Sequence, residues 1–240
     1  MRWTLKPKPE LSKIKQLSEA LQVEHTIDSL LLQRGIETYK DAKQFFRPSL
    51  DDLHDPFLMK DMDKAVNRIE KAINDGENIL VFGDYDVDGT TAVALMSSYL
   101  KTRTGTVVTY IPDRYDEGYG VSIKGIDFAH DNDFALIIAL DCGIKAIDKV
   151  AYAKEKGIDF IICDHHRPGA KLPDAVAILD PKREDCDYPY DELCGCGVGF
   201  KLIQALASRD GKSIEDLTGY LDLVATAIGA DIVPITGENR

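Results

Sequence analysis

The chain has 240 residues, enough for one large domain or two small ones with a substantial core. It has 41 acidic and 29 basic residues, and its net charge of −12 argues against a free-standing nucleic-acid-binding surface, which needs clustered Lys and Arg. No apolar run approaches a membrane span, and the first residues lack the apolar core of a signal peptide. Five irregularly spaced cysteines favour reduced thiols, so we expect a cytoplasmic protein without membrane association.

The first part of the chain is predicted to be helical. Apolar residues keep helical spacing between residues 10 and 47, with a break at Gly35, and another helix is expected from Asp61 to Asn74. We therefore expect an N-terminal helical segment over residues 1–76.

From residue 78 onward, strand patterns alternate with helix patterns. The predicted strands lie near 78–83, 106–111, 135–140, 158–163 and 175–180. The predicted helices lie near 90–102, 122–131, 144–156, 197–209 and 213–229. This alternation indicates the α/β class: a doubly wound parallel sheet with helices on both faces, preceded by the helical segment.

Three of the apolar strands run directly into carboxylates or histidines. In chain order, these are Asp84, Asp86 and Asp88, then Asp141, then Asp164, His165 and His166. Parallel strands present their carboxyl ends at one edge of a sheet, so these side chains are expected to converge. Carboxylate and imidazole groups suit divalent cations such as Mn²⁺ or Mg²⁺. The pattern therefore indicates a metal-dependent enzyme.

Other interpretations of these motifs fit less well. The Asp84-x-Asp86-x-Asp88 pattern matches the start of a calcium-binding EF-hand loop, but position twelve is Leu95 rather than Glu and a strand precedes it. A solvated turn that caps a helix would leave the other strand-end groups unexplained. Residues 194–196, Cys-Gly-Cys, have no second Cys or His pair at zinc spacing, which favours a tight turn before a helix.

Four motifs in order resemble those of the DHH phosphoesterase superfamily. They occupy residues 84–89, 141–143, 164–166 and 229–234. Further segments, at 55–62, 111–120, 194–201 and 234–240, narrow the resemblance to the RecJ family of single-stranded-DNA-specific 5′→3′ exonucleases. The resemblance covers nearly the whole chain and implies a DHH phosphoesterase domain over residues 77–240.

The resemblance also implies roles for individual residues. The family's metal ligands correspond to Asp86, Asp88, Asp141, His165 and Asp231. These would hold two divalent cations, Mn²⁺ or Mg²⁺, and with Asp84 and His166 they form the expected catalytic set. Asp84 is included because related pyrophosphatases have a ligand histidine where this chain has Phe82. Asp164 is expected behind the metal ligands, where it would fix a histidine tautomer or the backbone.

The implied function is two-metal hydrolysis of phosphodiester bonds: a 5′→3′ exonuclease on single-stranded DNA in repair and recombination. The expected substrate-binding residues are Arg114, Gly118 and Tyr119. We expect the family's C-terminal substrate-binding domain to be absent from this chain, and single-stranded DNA to bind mainly to that domain. A single-strand-binding protein or a helicase is a candidate partner.

Two alternatives remain open at this point. One is a DHH enzyme that cleaves short oligonucleotides or cyclic dinucleotides, although such enzymes usually lack an N-terminal helical extension. The other is a non-catalytic DHH scaffold that binds replication partners. Loss of motif Asp or His residues would mark a scaffold, and none is lost here.

Overall fold

The computed structural model describes residues 2–240. The chain divides into two compact units: one extends as far as Leu53 and includes Arg240, and the other extends from His54 to Asn239. None of the helices in the described part of the chain combines the length and apolar character needed to cross a membrane.

The described part of the first unit contains three short α-helices. They are α1 (Leu11–Leu21), α2 (His25–Leu32) and α3 (Tyr39–Phe46). The helical spacing of the apolar residues directs one side of each helix inward. The buried side chains of this small core are Leu17, Leu31, Ile36 and Ala42.

The second unit is built on a five-stranded sheet. The strands are β1 (Asn78–Gly83), β2 (Val107–Tyr110), β3 (Phe134–Leu140), β4 (Asp159–Cys163) and β5 (Ala177–Leu179). All neighbouring strands are parallel, and their order is β2-β1-β3-β4-β5. The chain leaves β1 for one edge and then returns to build the sheet on the other side. The adjacent carboxyl ends of β1 and β3 therefore form a topological switch point, where open α/β sheets bind ligands.

Helices cover both faces of this sheet. They are α4 (Met62–Asp75), α5 (Val87–Leu100), α6 (Ile123–Asp131), α7 (Ile147–Glu155), α8 (Gly195–Arg209) and α9 (Leu221–Asp231). Helices α6 and α7 share one buried core with alternate strand residues such as Leu80, Ile137 and Phe160. Helices α4, α5, α8 and α9 pack with one another, and α4, α5 and α8 also contact the strands. The predicted α/β class with a doubly wound parallel sheet is confirmed.

The predicted elements agree with the structure to within a few residues, with one exception. The helix predicted over 213–229 is divided into a 3-10 helix, Ile214–Tyr220, and α9. Thr218 and Gly219 are weak helix formers, which explains why the longer helix does not form through them.

The boundary between the two units lies before the predicted domain boundary at residues 76 and 77. Helix α4, which the sequence pattern groups with the N-terminal helices, packs against β5 and α8. It therefore belongs structurally to the unit that contains the sheet. The extent of the DHH domain over residues 77–240 stays a prediction.

Candidate metal centre

The motif after β1 places two of its aspartates in different environments. Asp84 is completely buried; its Oδ1 accepts a hydrogen bond from the N–H of Gly120 at 3.1 Å, and its Oδ2 has no hydrogen-bond partner. Asp86 is exposed and caps α5, because its Oδ1 accepts from the N–H of Gly89 at 2.9 Å. Burial raises the pKa of Asp84; the Gly120 amide opposes this rise and the charge of Asp86 adds to it.

Asp88 connects the same motif to a distant helix. Its Oδ2 accepts a hydrogen bond from the N–H of Gly195 at 2.6 Å, and its Oδ1 accepts from the N–H of Cys196 at 2.7 Å. These are the first amides of α8, and the N–H groups at a helix N-terminus have no partner within the helix. Burial raises the pKa of Asp88 in spite of these two amides. The carboxylate thus holds the start of α8 against the start of α5.

Asp141 follows β3 in a left-handed backbone conformation, with φ of 58°. Its side chain is buried, and Oδ1 has no hydrogen-bond partner. Burial, together with the negative charges of Asp88 and Asp86, raises the pKa of Asp141 to about 10. A carboxyl group in this environment stays protonated at neutral pH unless a cation neutralises it.

His165 lies where these side chains converge. Its Nε2 is 3.2 Å from Asp141 Oδ1, 3.7 Å from Asp88 Oδ2 and 3.7 Å from Oδ2 of Asp231, the last residue of α9. The 3.2 Å contact is short enough for a hydrogen bond but not oriented as one, and neither ring nitrogen has a partner. Potential ligand atoms lie within 4.8 Å of one another in two groups: Asp88, His165 and Asp231, and Asp141, His165 and His166.

These groups fit a divalent cation. A buried polar atom without a hydrogen bond costs roughly 1–3 kcal/mol, so proteins rarely leave several together. Here the buried atoms without a partner include Asp84 Oδ2, Asp141 Oδ1, and both ring nitrogens of His165. Neither ligand group contains a cysteine. Carboxylate oxygens with imidazole and no thiolate suit Mn²⁺ or Mg²⁺ better than a structural Zn²⁺.

Asp164 is buried directly behind the two histidines. Its Oδ1 accepts from the N–H groups of His165 (2.8 Å) and His166 (3.1 Å) and lies 2.7 Å from His166 Nδ1. Its Oδ2 accepts from the N–H of Ile144 at 2.9 Å. Burial alone would raise the pKa of Asp164, but the hydrogen bond and charge of His166 outweigh it and the pKa is lowered. Asp164 therefore fixes the backbone of this motif and the orientation of the His166 ring.

A glycine-flanked tyrosine borders the same histidine. Gly118 and Gly120 have φ values of 80° and 74°, a left-handed conformation that glycine adopts readily. The hydroxyl of Tyr119 lies 3.1 Å from His166 Nε2, and Tyr119 as a residue is 56% exposed. Because Gly120 also donates its N–H to Asp84, this loop is attached to the metal centre at two points.

Aromatic and basic groups continue outward from this loop. The rings of Tyr119 and Tyr85 meet edge to face at 6.4 Å, and the guanidinium of Arg114 lies 5.2 Å from the centre of the Tyr85 ring. A cavity of about 270 Å³ lies beside His166, and Tyr119 and Lys145 are among its lining residues. Of the sequence-predicted substrate residues, Tyr119 therefore lines this cavity, and Arg114 is connected to Tyr119 through the ring of Tyr85.

Asp180 is a buried carboxylate that sequence reasoning overlooked. It follows β5 directly, so the rule that identified the other strand-end groups also applies to it. Its Oδ1 accepts from the N–H of Lys182 at 2.8 Å, and its Oδ2 is buried without a partner. Burial, with the charge of Asp164 adding to it, raises the pKa of Asp180 to about 7.

We expect Asp180→Asn to stabilise the metal-free protein increasingly as the pH rises from about 4 to 7. The pKa of Asp180 is higher in the folded than in the unfolded state. The stability that the protonated Asp180 carboxyl contributes is therefore fully present below the pKa of the unfolded state. It is lost as the pH rises through the pKa of the folded state. The difference between variant and wild type should reach on the order of 3–4 kcal/mol above pH 7. Denaturant unfolding at several pH values measures it.

Asp174→Asn is the matched control, because Asp174 is an exposed carboxylate paired with Lys154. It should leave the pH dependence of unfolding unchanged. A constant difference between Asp180→Asn and wild type across this pH range would contradict the prediction.

The structure brings together four of the five predicted metal ligands: Asp88, Asp141, His165 and Asp231. Asp86 belongs to neither ligand group, and its role as a ligand stays a prediction. Besides Asp180, sequence reasoning missed Gly195 and Cys196, whose backbone amides at the start of α8 bind Asp88. No local pattern indicates them, because Gly195 lies 107 residues from the carboxylate that it binds.

Comparisons with known proteins identify relatives over the whole chain. The single-stranded-DNA-specific exonuclease RecJ of Bacillus subtilis (strain 168) is 43% identical over 240 residues, which are 100% of this chain and 30% of the relative. The crystal structure of RecJ in complex with Mn²⁺ from Thermus thermophilus matches with a TM-score of 0.81 at 28% identity, covering 100% of this chain and 33% of that chain. The crystal structure of exonuclease RecJ bound to manganese matches with a TM-score of 0.71 at 33% identity. This match covers 80% of this chain and 47% of that chain.

This chain spans about a third of the length of the curated relatives that it matches. The family model described as DHH family, N-terminal domain, matches residues 78–228, which is more than half of the chain. The matched range contains the strand-end groups of β1, β3 and β4 and ends just before Asp231. The chain belongs to the DHH family.

Proposed function

We propose that this chain is the catalytic part of a metal-dependent phosphodiester hydrolase, a 5′→3′ exonuclease on single-stranded DNA. The observation that carries the proposal is the convergence of Asp88, Asp141 and Asp231 on His165, with buried donor atoms that lack hydrogen-bond partners. Such a group of carboxylates is unfavourable unless cations neutralise it. The similarity to RecJ exonucleases supports the choice of reaction and substrate.

The cofactors would be two divalent cations, Mn²⁺ or Mg²⁺. Their proposed ligands are Asp86, Asp88, Asp141, His165 and Asp231. Asp86 would use Oδ2, because its Oδ1 caps α5. When bound, the cations would supply the Lewis acidity and the activated water that hydrolysis of a phosphodiester requires. The solved RecJ structures with Mn²⁺ and with Mg²⁺ support this choice of metals.

His166 would contact the scissile phosphate. Asp164 holds its Nδ1, so its Nε2 is directed toward Tyr119 and the open space beside the metal centre. Asp84, whose Oδ2 has no hydrogen-bond partner, would support the metals from the first motif. In this arrangement the protein supplies positioning and charge, and no side chain of the chain serves as a nucleophile.

The substrate would be a single strand that lies along the rim of the site. Tyr119 offers an exposed aromatic face, and Arg114 offers a positive charge for the phosphate backbone, the two groups that non-specific single-strand binding combines. Gly118 allows the loop to carry Tyr119 in its observed position.

We also propose a cytoplasmic role in DNA repair and recombination, with a single-strand-binding protein or a helicase as partner.

Degradation assays on the full-length protein test this function. With Mn²⁺ present, 5′-labelled single strands should lose their labelled end nucleotide first, while blunt duplexes stay intact. Preferential cleavage of dinucleotides or cyclic dinucleotides would instead indicate the alternative DHH phosphodiesterase. Absence of any hydrolysis by a folded protein at saturating Mn²⁺ would indicate a scaffold. Anomalous scattering from crystals soaked in Mn²⁺ should place the ions among the five proposed ligands.

A further inference from the structure

A buried ion pair lies in the second unit outside the metal centre. The ammonium of Lys201, in the middle of α8, is 2.6 Å from Oε1 of Glu238, and both side chains are 2% exposed. Lys201 also donates to the backbone carbonyl of His54 (2.9 Å) and to Gln204 Oε1 (3.0 Å). Glu238 also accepts from the N–H of His54 (2.9 Å) and from the hydroxyl of Tyr188 (2.6 Å). Every charged atom of the pair is therefore engaged.

A buried pair of this kind is costly to break from one side. Burial lowers the pKa of Lys201, and the charge of Glu238 opposes this. Removing one partner would leave the other charge buried and unpaired, which is strongly unfavourable. The pair therefore holds the chain around Glu238 firmly against α8.

Glu238 belongs to the segment that follows α9, residues 232–239, which we call the trailing segment. Two further contacts attach this segment to the loop before α8, and a third, from Asn239 to Pro234, lies within the segment itself. Asn239 donates its side-chain amide to the carbonyl oxygens of Glu192 (2.6 Å) and Pro234 (3.0 Å). The hydroxyl of Tyr190 donates to the same Pro234 carbonyl at 3.2 Å. The trailing segment is thus fixed near its start, at Pro234, and at its end, at Asn239.

Asp231 immediately precedes this segment. Its side chain is 31% exposed, whereas those of Asp88, Asp141 and His165 are 1–7% exposed. The backbone turns at Ile232, which has a left-handed φ of 61°. A carboxylate at an exposed helix end is held in place mainly by the chain on either side of it. The position of Asp231 thus depends on how the trailing segment is anchored.

Helix α8 carries both anchoring points. Its first amides hold Asp88, and Lys201 in the same helix holds Glu238. A single rigid helix thus connects a carboxylate of the first motif to the segment that follows the last motif. Helix α8 contributes no residue to either ligand group.

We propose that Lys201 and Glu238 are positioning residues that hold Asp231, through the trailing segment, at a fixed distance from Asp88 and His165. The inference rests on the proposed metal centre, and its consequence is that α8 sets the spacing of the ligands. A structural role alone would affect stability; a positioning role also affects metal affinity, and it does so only while Asp231 is present.

The test is a double-mutant cycle on Mn²⁺ affinity, measured by calorimetry on the full-length protein without substrate. We expect Glu238→Gln to weaken Mn²⁺ binding about 10-fold, the lower end for residues that support a metal ligand. We expect no further weakening by Glu238→Gln when Asp231→Ala is already present. Hydrogen exchange of the metal-free protein should accelerate in residues 232–239 and stay unchanged in the sheet.

Two further variants make this test decisive. Glu155→Gln is the matched control, because it makes the same chemical change at an exposed site on α7 and should leave Mn²⁺ affinity unchanged. Tyr190→Phe loosens the trailing segment without leaving a buried charge, and it replaces Glu238→Gln in the cycle if that variant fails to fold. It should weaken Mn²⁺ binding a few-fold, again only in the presence of Asp231.

The possible outcomes distinguish an error in the metal-ligand assignment from an error in the positioning role of Lys201 and Glu238. If Asp231→Ala binds Mn²⁺ like wild type, then the ligand assignment is wrong and the positioning role is wrong with it. If Asp231→Ala weakens binding but Glu238→Gln and Tyr190→Phe do not, the metal centre stands and the positioning role is refuted. Equal weakening by Glu238→Gln with and without Asp231 would also refute it.

Discussion

Replacing Asp141 by asparagine is expected to abolish hydrolysis while making the metal-free protein more stable. Asparagine has nearly the same shape and tolerates the left-handed φ of 58° at this position, which alanine would not. The substitution removes a carboxylate from the point where the proposed ligands converge. We expect the rate of phosphodiester hydrolysis to fall at least ~10³-fold, equivalent to roughly 4 kcal/mol of transition-state stabilisation.

The stability change should have opposite signs without and with metal. Burial and neighbouring charges raise the pKa of Asp141 to about 10, far above its unfolded value. Wild-type stability is therefore reduced progressively as pH rises toward about 10, and the Asp141→Asn variant avoids this loss. Saturating Mn²⁺ stabilises only a protein that binds it. Melting temperatures should thus rank the variant above wild type without metal and below it with Mn²⁺.

Asp133→Asn is the control for this experiment. Asp133 precedes the same strand, is exposed and has a similar left-handed φ of 56°, so it matches the backbone geometry of Asp141 without its environment. Its substitution should leave activity and both melting temperatures unchanged. A variant of Asp141 that is less stable than wild type in the absence of metal would show that this carboxyl group is stabilising, contrary to the argument from burial.

The sequence alone was sufficient to predict which strand ends meet at the proposed metal centre, for a physical reason. Apolar strands in a parallel sheet are recognisable from composition, and their carboxyl ends lie at one edge whatever the strand order. Hence Asp88, Asp141 and His165 could be expected to meet, although they come from three separate segments. Asp231 was found differently, through the resemblance of its motif to the DHH superfamily.

The interactions that hold the centre together could not be predicted in this way. Asp86 and Asp88 are equivalent in the motif, yet one caps its own helix and the other binds amides of α8. The position of α8 determines which aspartate caps α5 and which one binds the α8 amides. That position in turn depends on side-chain packing across the whole unit. The burial of Lys201 and Glu238 also could not be predicted from the sequence. Charged residues are expected at the surface unless a tertiary contact pairs them.

Replacing Gly195 by alanine, at the start of α8, is also expected to have a large effect. It should disrupt the proposed metal centre although Gly195 contributes no ligand to it. A Cβ atom at this position would lie 2.5 Å from the Cβ of Asp141 and 2.8 Å from its Cα. Backbone atoms cannot yield cheaply at such distances, so the start of α8 must move away. That movement would displace the Gly195 amide, which holds Asp88 at 2.6 Å, and would separate two proposed metal ligands.

We expect Gly195→Ala to lower hydrolysis and Mn²⁺ affinity each by ~100-fold or more, since misplacing a catalytic group by about 1 Å costs about that much. Gly197→Ala is the matched control two residues along the same helix. A Cβ there would meet nothing closer than 3.5 Å, and replacing a helical glycine by alanine is favourable by up to ~1 kcal/mol. That variant should keep full activity and melt no lower than wild type. Calorimetric Mn²⁺ titration and melting curves on both variants test this prediction. If Gly195→Ala and Gly197→Ala had the same Mn²⁺ affinity and melting temperature, close contact with Asp141 would not determine the geometry of the centre.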